Sequence, residues 1–152
     1  MFENSPGALV PYPPVRQGAD EVLGKVIVGV DGSKASALAV EWCAQLARST
    51  DTHVVAVHAL DLNAPKRTID VVDSWCAALR EAGIHYKVVL GEGDPRVILI
   101  DVAEYEDAQL IVVGSHGQST VVQLVLGSVG QYLVHRSERP VAIVHGPDQN
   151  AA

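Results

Sequence analysis

Basic side chains are scarce in this sequence. Eleven Lys and Arg stand against 18 Asp and Glu in 152 residues, a formal net charge of −7, and the isoelectric point lies near 5.2. Nucleic acid and anionic membranes both demand a basic surface, so neither is expected as the main partner. A small anion site stays open, because main-chain N–H groups need no net positive charge. Cysteine is almost missing too. Cys43 and Cys76 fall in apolar helical patterns without metal-like spacing, and read as buried free thiols of a reducing cytosol. No apolar run approaches the length of a membrane span, and the N-terminus lacks a basic region followed by an apolar stretch. A cytoplasmic protein is expected. There is no internal repeat of about 20–50 residues. No His, Cys and Asp cluster has metal-ligand spacing, and no Ser-His-Asp arrangement, general base or activated nucleophile stands out.

What is present is a core-building pattern. The 48% hydrophobic content suits one domain of this length. Residues 1–23 stand apart: Pro6, Pro11, Pro13 and Pro14 lie there without periodicity, as in a flexible arm. The domain proper is expected over 24–146, with 147–152 as a polar tail. Apolar strands are expected at Lys25–Val30, His53–Ala59, Ile84–Leu90, 110–113 and Pro140–Val144. Between them run helical patterns. The first, about 34–49, carries Ala35, Leu38, Ala39, Trp42 and Leu46 as its apolar stripe. The second, about 68–81, presents Val72, Trp75, Cys76 and Leu79, and Gly83 ends it. The third starts with Asp94 as cap and Pro95 at the first helical position, and turns Ile98, Leu99, Val102 and Tyr105 inward. The fourth covers about 128–136. Five strands alternating with four helices predict an α/β sandwich on a parallel sheet.

One stretch concentrates the chemistry. Strand residues Leu110–Val113 lead into Gly114-Ser115-His116-Gly117, and nine residues later Gly127-Ser128 opens a helix. A glycine loop lets main chain approach a ligand, and a helix start with unpaired N–H groups favours an anion. Strand, loop and helix in this order hold phosphates in many α/β proteins. Glycines after a strand also serve as plain turns, and Gly-Ser before a helix as a cap. The spacing is neither the Gly-Lys-Ser/Thr type nor Gly-x-Gly-x-x-Gly.

Asp31, after the first strand, reads either as a turn or cap residue or as an acceptor for ribose hydroxyls or a base. His116 lies inside the glycine loop, and His58 near the end of the second strand. For Asp31 and the Gly114 loop to touch one ligand, the first and fourth strands must be neighbours.

With these residues in view, the sequence resembles the universal stress protein family over nearly all of 24–145. Val28-Gly-Val-Asp-Gly-Ser33 is similar to the family's first strand and turn. Gly114-x2-Gly117-x9-Gly127-Ser128 is similar to its nucleotide-binding pattern, and Arg139–Val144 to its closing strand. The resemblance implies a three-layer, Rossmann-like sandwich with a five-stranded parallel sheet in the order 3-2-1-4-5, and an ATP-binding type of member. By position, Asp31 would meet the ribose or adenine end, with Val30 and Ala59 beside the adenine. Val113 would lie at the entrance, and Gly114, Ser115, His116 and Gly117 along the triphosphate. Gly127, Ser128, Val129 and Gly130 would hold phosphates. Mg²⁺ would bridge the phosphates, and Val141–Val144 would form a homodimer contact.

The expectation is therefore a stress-response protein that works by binding ATP, with at most slow hydrolysis. The alternatives are a module for AMP or cyclic AMP, a structural dimer with a vestigial site, and a true enzyme. Two departures from the family bear on the site. Gln118-Ser119-Thr120 replaces basic and glycine-rich residues, weakening phosphate attraction, and a short 61–68 segment leaves the adenine wall more open.

Overall fold

The structure is a computed structural model and describes residues 24–63, 67–116 and 126–146. The expected N-terminal arm, the tail, Gly117 and Gln118-Ser119-Thr120 lie outside the described residues. The strands are β1 (Lys25–Gly29), β2 (His53–Leu60), β3 (Tyr86–Glu92), β4 (Leu110–Gly114) and β5 (Val141–Val144). The helices are α1 (Lys34–Thr50), α2 (Ile69–Ser74), α3 (Ala77–Glu81), α4 (Pro95–Tyr105) and α5 (Ser128–Arg136). All strand pairs are parallel, in the order β3-β2-β1-β4-β5. This is the expected topology, and it sets β1 beside β4 with Val28 opposite Val112.

Side chains alternate across the sheet, so each strand feeds two cores. Val26, Val28 and Val112 pack with Val40, Cys43, Cys76 and Leu79 from α1 and the α2–α3 region. Ile27, Ile111 and Val113 pack with Leu99, Ala103 and Leu133 from α4 and α5. Burying a Val or Ile on both faces of a sheet stabilises the fold by roughly 1.5–3 kcal/mol per side chain. Helix ends follow local chemistry. Ser33 caps α1 by accepting from Ser36 N at 3.1 Å. Asp94 caps α4 by accepting from Arg96 N at 2.9 Å, with Pro95 at the first helical position.

Three expectations need correction. The buried face of α1 is Ala35, Ser36, Ala39, Val40, Cys43, Ala44 and Ala47, and Trp42 is 36% exposed. The reason is close approach. A Cβ on Gly114 would stand 2.6 Å from the Ala35 main chain, so α1 lies against β4 with room for small side chains. On α4, Leu99 and Ala103 are buried while Tyr105 is 88% exposed. The helix expected at 68–81 is two helices broken at Trp75 and Cys76. The break sets the Trp75 indole against Gly32, where a Cβ would stand 2.7 Å from the ring. Gly32 has φ +79°, and this turn carries the chain from β1 into α1.

Candidate functional site

The carboxyl ends of the strands open into one cleft of about 680 Å³, within the usual range for small-molecule sites. Val30 and Asp31 line it after β1, and Ala59 on β2. Val113, Gly114, Ser115 and His116 line it from β4, and Gly127, Ser128, Val129 and Gly130 from the start of α5. Eleven of the twelve candidate residues thus share one cleft, and the twelfth, Gly117, lies outside the described residues. The sequence reading missed several others. Gly29, Ser33, Ser36 and Val57 complete the β1–β2 side, and Asp61, Leu62 and Asn63 flank it. Gly93, Asp94, Pro95, Ile98 and Leu99 add the start of α4 as a further wall. For most of them a signal was available, since they lie within a few residues of a strand's carboxyl end, where α/β sheets place ligands; Ser36, Ile98 and Leu99 lie farther on, inside α1 and α4.

The floor at β4 is held by main chain. Ser115 N donates to Val144 O at 3.0 Å, and Ser115 O accepts from Gly127 N at 2.8 Å. Ser115 Oγ lies 3.0 Å from His116 Nδ1. Gly127 is the N-cap of α5 and supplies no side-chain cap. The capping role expected of Ser128 therefore falls to a residue without a side chain. The first-turn N–H groups of α5 have no acceptor within their own helix, and Ser128, Val129 and Gly130 line the cleft. The glycines here also serve packing: a Cβ on Gly130 would stand 2.8 Å from Leu126 Cδ1.

At the other end, Asp31 proves to be a turn residue as well as a lining one. Its Oδ1 accepts from Ser33 N at 2.9 Å, and its N–H donates to Ser36 Oγ at 3.3 Å. Asp61 and Asp94 make the same kind of turn, accepting from Asn63 N at 2.8 Å and Arg96 N at 2.9 Å. The Arg96 guanidinium bonded to Asp94 holds that carboxyl below the usual carboxylate range. The described lining thus carries three carboxylates and no Lys or Arg.

His58 lines the same end. Its Nδ1 lies 2.7 Å from Val30 O, and a carbonyl only accepts, so Nδ1 carries the proton. The Trp75 ring meets it edge-on, with centroids 5.2 Å apart. Ala59 is still paired with Gly91 of β3 but lies past the end of the β1 side. His53 N donates to Gly24 O and Val57 O accepts from Val30 N. The odd-numbered residues of β2 therefore turn their main-chain groups toward β1. β1 is last paired at Gly29 with Val57, so the Ala59 main chain reaches past its end.

Comparison with known proteins bears on this arrangement. The family model described as the universal stress protein family matches residues 23–75 and 66–145. A universal stress protein of Mycolicibacterium smegmatis is 30% identical over 155 residues, covering 83% of this chain and 49% of its own length. One from Methanocaldococcus jannaschii is 26% identical over 153 residues, covering 88% of both chains. This chain spans about half the length of the M. smegmatis relative. Among solved structures, a universal stress protein in complex with cAMP superposes with a TM-score of 0.69 at 31% identity, covering 82% of this chain and 98% of the other. The match of the family model across both halves of the sheet, on a fold with this strand order and this cleft, shows that the chain belongs to the universal stress protein family.

Proposed function

We propose that this protein binds an adenine nucleotide, ATP as its Mg²⁺ complex, and acts in a stress response through binding rather than efficient turnover. One observation carries the reading: the glycine-capped start of α5 and Ala59, whose strand runs on past its last pairing with β1, line the same cleft. The first offers N–H groups and a positive dipole end to phosphates. The second offers a donor and an acceptor to a base. The ribose would lie between, toward Asp31. The described lining holds no Lys or Arg and three carboxylates, so phosphate charge needs offsetting by main-chain N–H groups and a divalent ion. No cluster of three or more potential metal ligands occurs among the described residues. Mg²⁺ would therefore arrive on the phosphates, keeping much of its water, as that ion commonly does. Further parts of the proposal are a homodimer through β5 and a cytoplasmic location. Among the described residues no helix is long and apolar enough to cross a membrane.

A second reading is a cyclic-AMP module, favoured by the solved family member that holds cAMP at 31% identity. Competition separates the two. Cyclic AMP displaces an ATP analogue at comparable concentration only under the second. The primary test is mass spectrometry of small molecules that co-purify, with thermal unfolding in Mg-ATP. A ligand that binds only the folded state adds about 2.7 kcal/mol at a hundred times its Kd. No retained nucleotide and no thermal shift would overturn the proposal.

A further inference from the structure

The β1–β2 ladder stops one rung before its own geometry requires. His53 N donates to Gly24 O at 3.1 Å, and Val30 N donates to Val57 O at 2.9 Å. Continuing that succession two residues at a time along both strands brings the Ala59 N–H to the Val30 carbonyl. No such bond is among those joining the described main chain. The Val30 carbonyl instead takes the Nδ1 proton of His58 at 2.7 Å. The ring is steadied by Trp75, edge-on at 5.2 Å and 77°.

We infer that His58 is a positioning residue for the base: its imidazole occupies the Val30 carbonyl, ends the ladder early and keeps the Ala59 N–H and C=O available to an adenine edge. The inference rests on the adenine-nucleotide reading above and says how the base would be told apart. Adenine presents an amino donor beside a ring acceptor, which one strand residue's C=O and N–H complement. Guanine carries an acceptor where adenine carries its amino group, and a ring N–H donor beside it, so both contacts are mismatched. His58 touches neither phosphate nor ribose in this account. It acts through which main-chain groups it leaves unpaired.

His58→Leu removes the competitor, so the Ala59 N–H returns to Val30 O and closes the reading edge. His58→Asn restores a donor, because its Nδ2 sits near the place of Nδ1. In His58→Leu the Kd for Mg-ATP is expected to rise about tenfold, and the preference for Mg-ATP over Mg-GTP to shrink by about the same factor, the measure of one main-chain hydrogen bond. His58→Asn should stay within about threefold of wild type on both counts. Amide hydrogen exchange without ligand gives an independent readout: Ala59 exchanges faster than Val57 in wild type and comparably to it in His58→Leu. A merely structural His58 would weaken both nucleotides alike and leave their ratio unchanged, which overturns the inference. So does an Ala59 amide protected as well as Val57 in wild type, a measurement that needs no variant to fold. If wild type binds no Mg-ATP while Ala59 exchanges fast, the nucleotide reading fails, and the role of His58 in binding falls with it.

Discussion

A methyl group on Gly114 would stand 2.6 Å from the main-chain carbon and 2.8 Å from the Cβ of Ala35. A main-chain neighbour cannot swing aside as a side chain can. Gly114→Ala is therefore expected to push α1 off β4 and cost about 1–3 kcal/mol, as overpacking does. A urea melt checks this, and a wild-type midpoint would contradict it. The thiols offer another check at this scale. Burial pushes Cys43 up to about 12; burial, with Asp73 adding to it, pushes Cys76 up to about 11. Neither supplies thiolate near neutral pH. An aromatic disulfide reagent should label both only as fast as the protein opens, and rapid labelling in buffer would refute the burial. About half of the cleft's lining was legible, because glycine spacing and strand ends are written in the sequence, while the α4 wall and the 61–63 flank were not. Nor was all that Gly114 does. The sequence suggests approach to a ligand, and Gly114 does line the cleft; it also lies against a helix, a contact between segments about 80 residues apart in the chain. His58 stood out by position alone, and its task depends on a carbonyl 28 residues away.

Elements were easier to read than their faces. Apolar strands between helical patterns gave the alternation, and Gly83 ended its helix as expected. It has φ +69°, and a Cβ there would meet nothing within 4 Å beyond its own chain neighbours. The cap is completed by Gly83 N to Arg80 O at 3.0 Å and Ile84 N to Leu79 O at 3.0 Å. Gly83→Ala should thus cost only the left-handed backbone penalty, about 1–2 kcal/mol, measurable as a lowered melting temperature with the nucleotide site unchanged. The outward turn of Trp42 and the break at Trp75 were not legible, because periodicity counts apolar residues and cannot weigh how near a helix may come. At the amino ends of the strands, Glu106, just after α4, takes Lys25 Nζ of β1 at 2.6 Å and also pairs with Lys87 of β3. The Lys25 ammonium, and then that of Lys87, hold its carboxyl below the usual range. Its folded value lies below the unfolded value near about 4.3. The contribution is therefore full above the unfolded value and is lost as pH falls through the folded one. Wild type should outlast Glu106→Gln in denaturant near neutral pH, and the gap should close on acidification. A gap that persists at low pH would show that charge is not its source.

At the scale of the whole molecule, the sheet ends at β5 among the described residues. Ile111 N donates to Pro140 O and Ser115 N to Val144 O, so the even-numbered residues of β5 serve β4. Val141 and Ile143 turn their N–H groups to the outer edge. Val141→Pro removes one outward donor and leaves the ladder to β4 intact. If a second copy pairs there, sedimentation should show that variant as a monomer under conditions where wild type is a dimer. Equal sedimentation would move the contact elsewhere. The main chain of Ser115 then acquires a meaning beyond holding the floor. Its nitrogen grips the last strand and its oxygen grips the mouth of the last helix. Assembly on one side and occupancy on the other would pull on a single hinge pin, and such linkage is reciprocal. If a second copy pairs at β5 and a small molecule fills the cleft, whatever factor pairing puts on its affinity, occupancy must put on pairing, and a titration at two protein concentrations measures it.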